Sequence, residues 1–353
     1  MLDLALDPAA LTAALCDVAS VSGAEGPLAD AVEEALRRQR HLEVVRYGNT
    51  VVARTHLGRT RRVVLAGHLD TVPVQGTLPT RLVGDELWGR GTVDMKGGLA
   101  VALHLAATVG EPRWDVTWVC YDQEEVASER NGLGRLARSH PELLRADLAI
   151  LGEPTAGAVE GGCNGTLNAR LRIRGRAAHS ARPWRGVNAI HRAAPVLQRL
   201  ASWEPEDVEV DSLVFRESLS AVAVGGGIAG NVIPDECVVT VNHRFAPSRT
   251  PDDAVARIRA LFPEVEVEVA DVAAGARPGL DAPAVADFVS AVAARTGVAA
   301  KLGWTDVARF AALGIPAVNF GPGDPLLAHA DDERCGIAQI RACAATLQAW
   351  LEG

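Results

Sequence analysis

The chain of 353 residues contains no C-x-x-C pair. Its six cysteines, Cys16, Cys120, Cys163, Cys237, Cys335 and Cys343, are scattered along it. That scatter argues against a disulfide framework or a thiolate-held zinc, and for reduced, buried thiols. A basic surplus is also missing. The formal net charge is −9, and no block of Lys and Arg supplies the electrostatic footprint that nucleic-acid binding needs. No apolar run approaches the ~20 residues of a membrane span. Acids stand at Asp3 and Asp7, where a secretory leader would carry basic residues. The expectation is a cytoplasmic protein with no nucleic-acid or membrane partner. What is present, 48% hydrophobic and 22% charged residues, describes an ordinary globular chain long enough for two domains.

Local patterns divide the chain. Asp7-Pro8 caps a helix expected over 8–19, and after a loop at 21–27 a second helix runs to about 38. Apolar runs at 42–47, 50–56, 62–66, 115–121 and 147–151 read as strands, alternating with helices at 99–109 and 132–139. Such alternation predicts a mostly parallel sheet with helices on both faces. From Thr166 the period becomes two, with Leu167, Ala169, Leu171 and Ile173 set against Asn168, Arg170, Arg172 and Arg174. A helix at 187–202, strands at 219–224 and 236–245, a helix at 251–261 and a strand at 264–269 complete the βαββαβ order of a ferredoxin-like unit. The expected division is therefore a domain of 1–173 with 278–353, interrupted by an inserted domain of 174–277. Gly225 to Gly230 satisfies G-x-G-x-x-G, but Pro234 and the alternation that follows predict a strand where a dinucleotide fingerprint needs a helix. The segment reads as a loop.

Candidate chemistry clusters at strand ends. Val63-Val64-Leu65-Ala66 runs into Gly67-His68-Leu69-Asp70, and open α/β sheets place their chemistry at the carboxyl ends of strands. His68 can ligate a metal while the Asp70 carboxylate accepts its other ring N–H. Asp94 lies among the glycines of 89–98. Glu124 and Glu125 follow the strand at 115–121, and two adjacent carboxylates cannot point the same way, so one can take a metal while the other faces a water. Glu153 follows the strand at 147–151, and His329 sits in a Gly/Pro loop after the last strand. Each residue alone has a bland reading, as a satisfied histidine or a solvated acid. Together, at one kind of edge, they point to a metal held by imidazole and carboxylate, the donors zinc accepts when thiolate is absent.

The motifs Gly67-His68-x-Asp70-x-Val72-Pro73 and Gly89-Arg90-Gly91-x-x-Asp94-Met95-Lys96-Gly97-Gly98 resemble the di-zinc aminoacylase and exopeptidase family. That family includes succinyl-diaminopimelate desuccinylases, acetylornithine deacetylases and glutamate carboxypeptidases. The resemblance implies two Zn2+ per subunit, with Co2+ able to substitute. His68, Asp94 and Glu153 would hold one ion, and Asp94, Glu125 and His329 the other. Glu124 would be the general base, and the peptide bond after Asp94 would be cis. Ala178-His179-Ser180 resembles the lid histidine that stabilises an oxyanion in the partner subunit's site, which implies a homodimer through the inserted domain. Asn231, Arg244, Arg182 and Thr305 match positions that contact a small anionic N-acyl amino-acid substrate. Residues 160–167 and 179–191 are most similar to the actinobacterial desuccinylase branch, which implies hydrolysis of the N-succinyl amide of N-succinyl-L,L-2,6-diaminopimelate. Deacetylation of acetylornithine, or aminoacylase or dipeptidase activity, is the enzymatic alternative. An inactive dimeric homologue that binds a small acid is the non-enzymatic one.

Overall fold

The computed structural model describes residues 2–353, apart from the side chains of 293–296. The chain forms two compact units. One comprises residues up to 162 with 278–300 and 305–353, and the other 163–277 with 301–304.

The first unit is built on an eight-stranded sheet. In spatial order its strands are Glu43–Tyr47, Thr50–Arg54, Asp115–Tyr121, Arg62–His68, Leu148–Leu151, Ala317–Asn319, Val159–Gly161 and Val298–Ala300. The central neighbours, from Asp115–Tyr121 to Ala317–Asn319, are all parallel. These inner strands are apolar and buried almost throughout, as strands covered on both faces must be. Alternation sorts their side chains. Val63, Leu65, Val116, Trp118 and Ile150 join one core with the helices Pro8–Cys16, Gly26–Arg37, Lys96–Thr108, Pro283–Thr296 and Ile337–Glu352. Phe288 anchors that core edge-to-face on Phe320 and Trp350, at 5.6 and 5.2 Å between ring centres. Helices Gly132–Ser139 and Val307–Ala312 pack on the strands separately.

The second unit is a five-stranded antiparallel sheet in the order Glu206–Val210, Leu213–Gly226, Glu236–Phe245, Gly165–Arg174, Glu266–Ala273. Helices Ala189–Ala201 and Pro251–Leu261 cover one face, burying Leu167, Leu171, Val196, Val241 and Ile258. The whole is a mixed α/β fold whose main sheet is largely parallel, the class expected from the β/α alternation.

The local differences have local causes. The second unit begins near 163 rather than 174, because Gly165–Arg174 is an inner strand of its own sheet. Glu206–Val210 was not anticipated. It forms a hairpin with Leu213–Gly226 through Asp211 and Ser212, both left-handed at φ +49° and +64°, as the favoured two-residue hairpin turn demands. A small sheet of Arg81–Val83, Glu86–Trp88 and Arg334–Gly336 was also missed, since three residues are too few to display a period.

One close approach sets the geometry of the first unit. A Cβ on Gly98 would lie 1.8 Å from the Gly152 carbonyl oxygen, so the helix Lys96–Thr108 touches the end of Leu148–Leu151 through bare backbone. Gly98→Ala is expected to cost about 3 kcal/mol or more and to lower the melting temperature sharply. Gly110→Ala, with nothing within 4 Å of its Cβ, is the control and should melt close to the unmodified protein.

Candidate active site

Strand register assembles the site. His68 lies opposite Tyr121 on one neighbouring strand, and Ala66 opposite Leu151 on the other. The carboxyl ends of three parallel strands therefore share an edge. Glu124 and Glu125 follow Tyr121 there, and Glu153 follows Leu151. Asn319, paired with Leu151, delivers the chain that leads to His329.

Among the described residues, His68, Asp94 and Glu153 offer ligand atoms all within 4.8 Å of one another, as do Asp94, Glu125 and His329. The two triads share Asp94. Its Oδ1 lies 3.1 Å from His68 Nε2 and its Oδ2 3.3 Å from His329 Nε2. His329 Nε2 is also 2.9 Å from Glu125 Oε1. Glu124 groups with His68 and Glu125 within the same 4.8 Å limit. The Asp94–Met95 peptide bond is cis.

The expected role of Asp70 needs correction. His68 Nδ1 donates to the Asp70 backbone carbonyl at 2.9 Å, whereas the carboxylate Oδ1 is 3.6 Å from that nitrogen. The carboxylate is engaged elsewhere. It accepts from the backbone N–H groups of Glu124 and Glu125 at 3.0 and 3.1 Å, and from the Ser22 hydroxyl at 2.7 Å. Because a carbonyl can only accept, Nδ1 carries a proton and Nε2 is the nitrogen left to face Asp94 and a metal. Glu25, unanticipated from the sequence, completes the arrangement. Its Oε1 accepts from the N–H of Gln123 at 3.2 Å and of Gly23 at 2.7 Å, and Gln123 is left-handed at φ +60°. Two fully buried carboxylates, Glu25 and Asp70, thus hold three successive amides, 123 to 125. Glu25 sits in a glycine-containing loop with no local sign of that role.

The charges are mutually adjusted. Burial alone would depress the His68 pKa, but the Asp94 hydrogen bond and the nearby Asp70 charge outweigh it and raise it well above the ordinary value. Hydrogen bonds to Asp94 and Glu125 push His329 up to about 10. Asp94, despite burial, is held below its usual range by the two imidazoles. Burial, then the charges of Asp306, Glu153 and Glu125, pushes Glu124 well upward against the pull of His68. Four carboxylates crowded into one pocket need more positive charge than two imidazoles supply. That deficit, with the all-imidazole and carboxylate donor set, fits divalent-cation binding.

The remaining expected residues are distributed between the units. In the second, Ala178–His179 pairs with Val232–Ile233, and the Ser180 N–H donates to the Asn231 carbonyl at 2.9 Å, so His179 and Asn231 lie on one ribbon. His179 is exposed, and its Nδ1 accepts the Ala181 N–H at 3.0 Å. Arg182 is exposed beside it. Arg244, on Glu236–Phe245, donates from Nε to Asn242 Oδ1 at 3.0 Å. Asn164 is buried, with its amide nitrogen on the carbonyls of Arg216 and Leu302. Thr305 belongs to the first unit. It is 3% exposed and its hydroxyl donates to Asn319 Oδ1 at 2.9 Å.

Several known proteins are similar to this chain. The model of peptidase family M20/M25/M40 matches residues 64–353. The chain belongs to this family. A succinyl-diaminopimelate desuccinylase of Corynebacterium glutamicum is 46% identical over 360 residues, covering 99% of this chain and 97% of that one. A Mycobacterium tuberculosis protein provisionally given the same name is 55% identical over the full length of both. Among solved structures, a Staphylococcus aureus tripeptidase matches with a TM-score of 0.78 at 19% identity, covering 100% of this chain and 98% of that one. A Sulfolobus solfataricus M20 metallo-carboxypeptidase matches with a TM-score of 0.79 at 14% identity, covering 98% and 99%. At those identities the structures establish the fold. Membership of the M20 family, with the clustered donors, supports a metal cofactor.

The raised imidazole pKa values give a pH signature. His329 has a reference value of 6.5 and is held at about 10 when folded, so its stabilising pairs are complete below pH 6.5 and disappear as pH rises towards 10. Chelator-treated protein should melt at progressively lower temperature across that window. Zinc-loaded protein, its ligands already deprotonated, should lose less. Parallel melting curves for the two preparations would contradict this.

Proposed function

We propose that the protein is a di-zinc amidohydrolase that cleaves N-succinyl-L,L-2,6-diaminopimelate to succinate and L,L-diaminopimelate. The observation that carries the reading is the pair of ligand triads sharing Asp94, in a chain that aligns end to end with relatives named for that reaction. His68, Asp94 and Glu153 would hold one ion and Asp94, Glu125 and His329 the other, with Co2+ able to replace Zn2+. When bound, the ions polarise the scissile carbonyl and lower the pKa of a water from about 15.7 towards 7.

The chain's own groups do the rest. Glu124, its proton affinity raised by burial, takes a proton from the attacking water and returns it to the departing amine nitrogen as the amide C–N bond breaks. The amide grip of Asp70 and Glu25 aims it. With Nδ1 of His179 occupied as an acceptor, the neutral ring carries its proton on Nε2, where it can donate to the developing oxyanion. Arg244, Arg182 and Asn231 supply donors suited to substrate carboxylates, and a guanidinium fork can grip one bidentately.

The reading includes a homodimer through the second unit. Residues 218–226 of the strand Leu213–Gly226 pair with Glu236–Phe245, while Glu206–Val210 reaches only to Glu217. Among the described residues one edge is thus left open beside exposed Val222, Val224 and Ile228, and such an edge is a template for another strand. A cytoplasmic site of action accords with six free, buried cysteines; no described helix is long and apolar enough to cross a membrane.

Zinc-loaded protein should hydrolyse succinyl-diaminopimelate and lose activity to EDTA. Preference for N-acetylornithine would move the reading to a deacetylase. Glu124→Gln should bind zinc normally while turnover falls by at least about 100-fold, and near-normal turnover would remove Glu124 from its role. Val224→Lys should shift the sedimentation coefficient towards that of a monomer.

A further inference from the structure

Glu333 and Arg90 lie outside the ligand set, yet the loops carrying Asp94 and His329 meet on them. Glu333 is 2% exposed. Its Oε1 accepts from the backbone N–H groups of Gly91, Val93 and Asp94 at 2.8, 3.0 and 3.2 Å. Its Oε2 accepts from the Arg90 guanidinium at 2.8 Å. The same guanidinium nitrogen donates to the Ala330 carbonyl at 3.1 Å, and the Glu333 carbonyl accepts the Gly89 N–H at 3.0 Å. Arg90 is itself 3% exposed. The contacts therefore stitch residues 89–94 to residues 330–333, with Asp94 ending the first segment and His329 immediately preceding the second.

Two physical points make this more than packing. Three N–H groups converging on one carboxylate oxygen form a strong, charge-assisted cradle that dictates where the Asp94 backbone sits. His329 is left-handed at φ +64°, a conformation that a non-glycine residue keeps only where its surroundings hold it, and Ala330, which Arg90 grips, is the next residue. Of the acidic run Asp331-Asp332-Glu333, Glu333 is the member that turns inward.

We propose that Glu333 and Arg90 form a positioning clamp that fixes the separation of Asp94 from His329, and through it the affinity of the ion shared by Asp94, Glu125 and His329. The proposal rests on the di-metal reading. Neither residue touches substrate; both act through the two ligand loops. Partners of metal ligands of this kind typically change metal affinity by about 10- to 100-fold when replaced.

The test is calorimetric titration of Zn2+ into the chelator-treated full-length protein, Glu333→Gln and Arg90→Met, with amide hydrogen exchange measured in parallel. Gln keeps the shape but not the charge; Met keeps the length but neither donor. Each variant should bind one of its two ions about 10- to 100-fold more weakly and leave the other unchanged. The Co2+ absorption spectrum should change, exchange at amides 91, 93 and 94 should accelerate, and kcat should fall with KM little altered. Wild-type affinity for both ions with unchanged exchange would overturn the clamp. If Glu333→Gln does not fold, Arg90→Met decides on the same readings. Failure of the di-metal reading looks different: the unmodified protein would take up fewer than two ions, while exchange at amides 91, 93 and 94 in the variants would still support or overturn the clamp.

Discussion

One carboxylate facing two imidazoles in opposite directions is the constraint on which the site depends. Asp94 presents Oδ1 to His68 and Oδ2 to His329, and each imidazole comes from a distant part of the chain. The arrangement brings Glu124, Glu125 and Glu153 into the same pocket. Such a density of negative charge is unfavourable unless cations balance it, so the raised proton affinity of Glu124 and the suitability of the pocket for divalent ions have a common electrostatic origin.

Holding that density in place falls largely to the backbone. Buried carboxylates accept main-chain N–H groups in the loops that carry the ligands: Glu25 and Asp70 hold amides 123 to 125, and Glu333 holds 91, 93 and 94. A side chain that grips a ligand's own backbone sets its position and still leaves its carboxylate free to face a cation. The bare contact between Gly98 and Gly152 works at the next level out, bringing the helix that follows Asp94 against the strand that precedes Glu153.

The second unit obeys different rules. Its sheet is antiparallel and half-covered, with alternating Arg and Glu on the outer face, where Arg170, Arg172 and Arg174 pair with Glu236, Glu266 and Glu268. Exposed pairs of this kind contribute little stability individually. The core of Leu167, Leu171, Val196 and Ile258 holds the unit together, and the short ribbon joining His179 to Asn231 is displayed upon it.

Much of this was legible from local pattern. The parallel sheet followed from apolar runs alternating with helical segments, and the βαββαβ order from a change of period at Thr166. His68, Asp94, Glu124, Glu125, Glu153 and His329 could be singled out because each stands just beyond a strand or in a glycine-rich turn, and the neighbouring motifs resembled a known family. Short strands such as Arg81–Val83 and Glu206–Val210 escaped because hydrogen bonding to distant neighbours defines them, not periodicity. The amino-acid sequence by itself determined which donor atoms were available and at which edge of the sheet they would emerge, since strand alternation and chain order are local properties. Only the tertiary structure decided which group each donor satisfies: that Asp70 serves the amides of Glu124 and Glu125 rather than the His68 ring, that Thr305 turns to Asn319, and that Glu333 is buried on an amide 239 residues away. The physical reason is that a buried polar group takes whichever partners packing brings within about 3 Å, and sequence spacing carries no record of that choice.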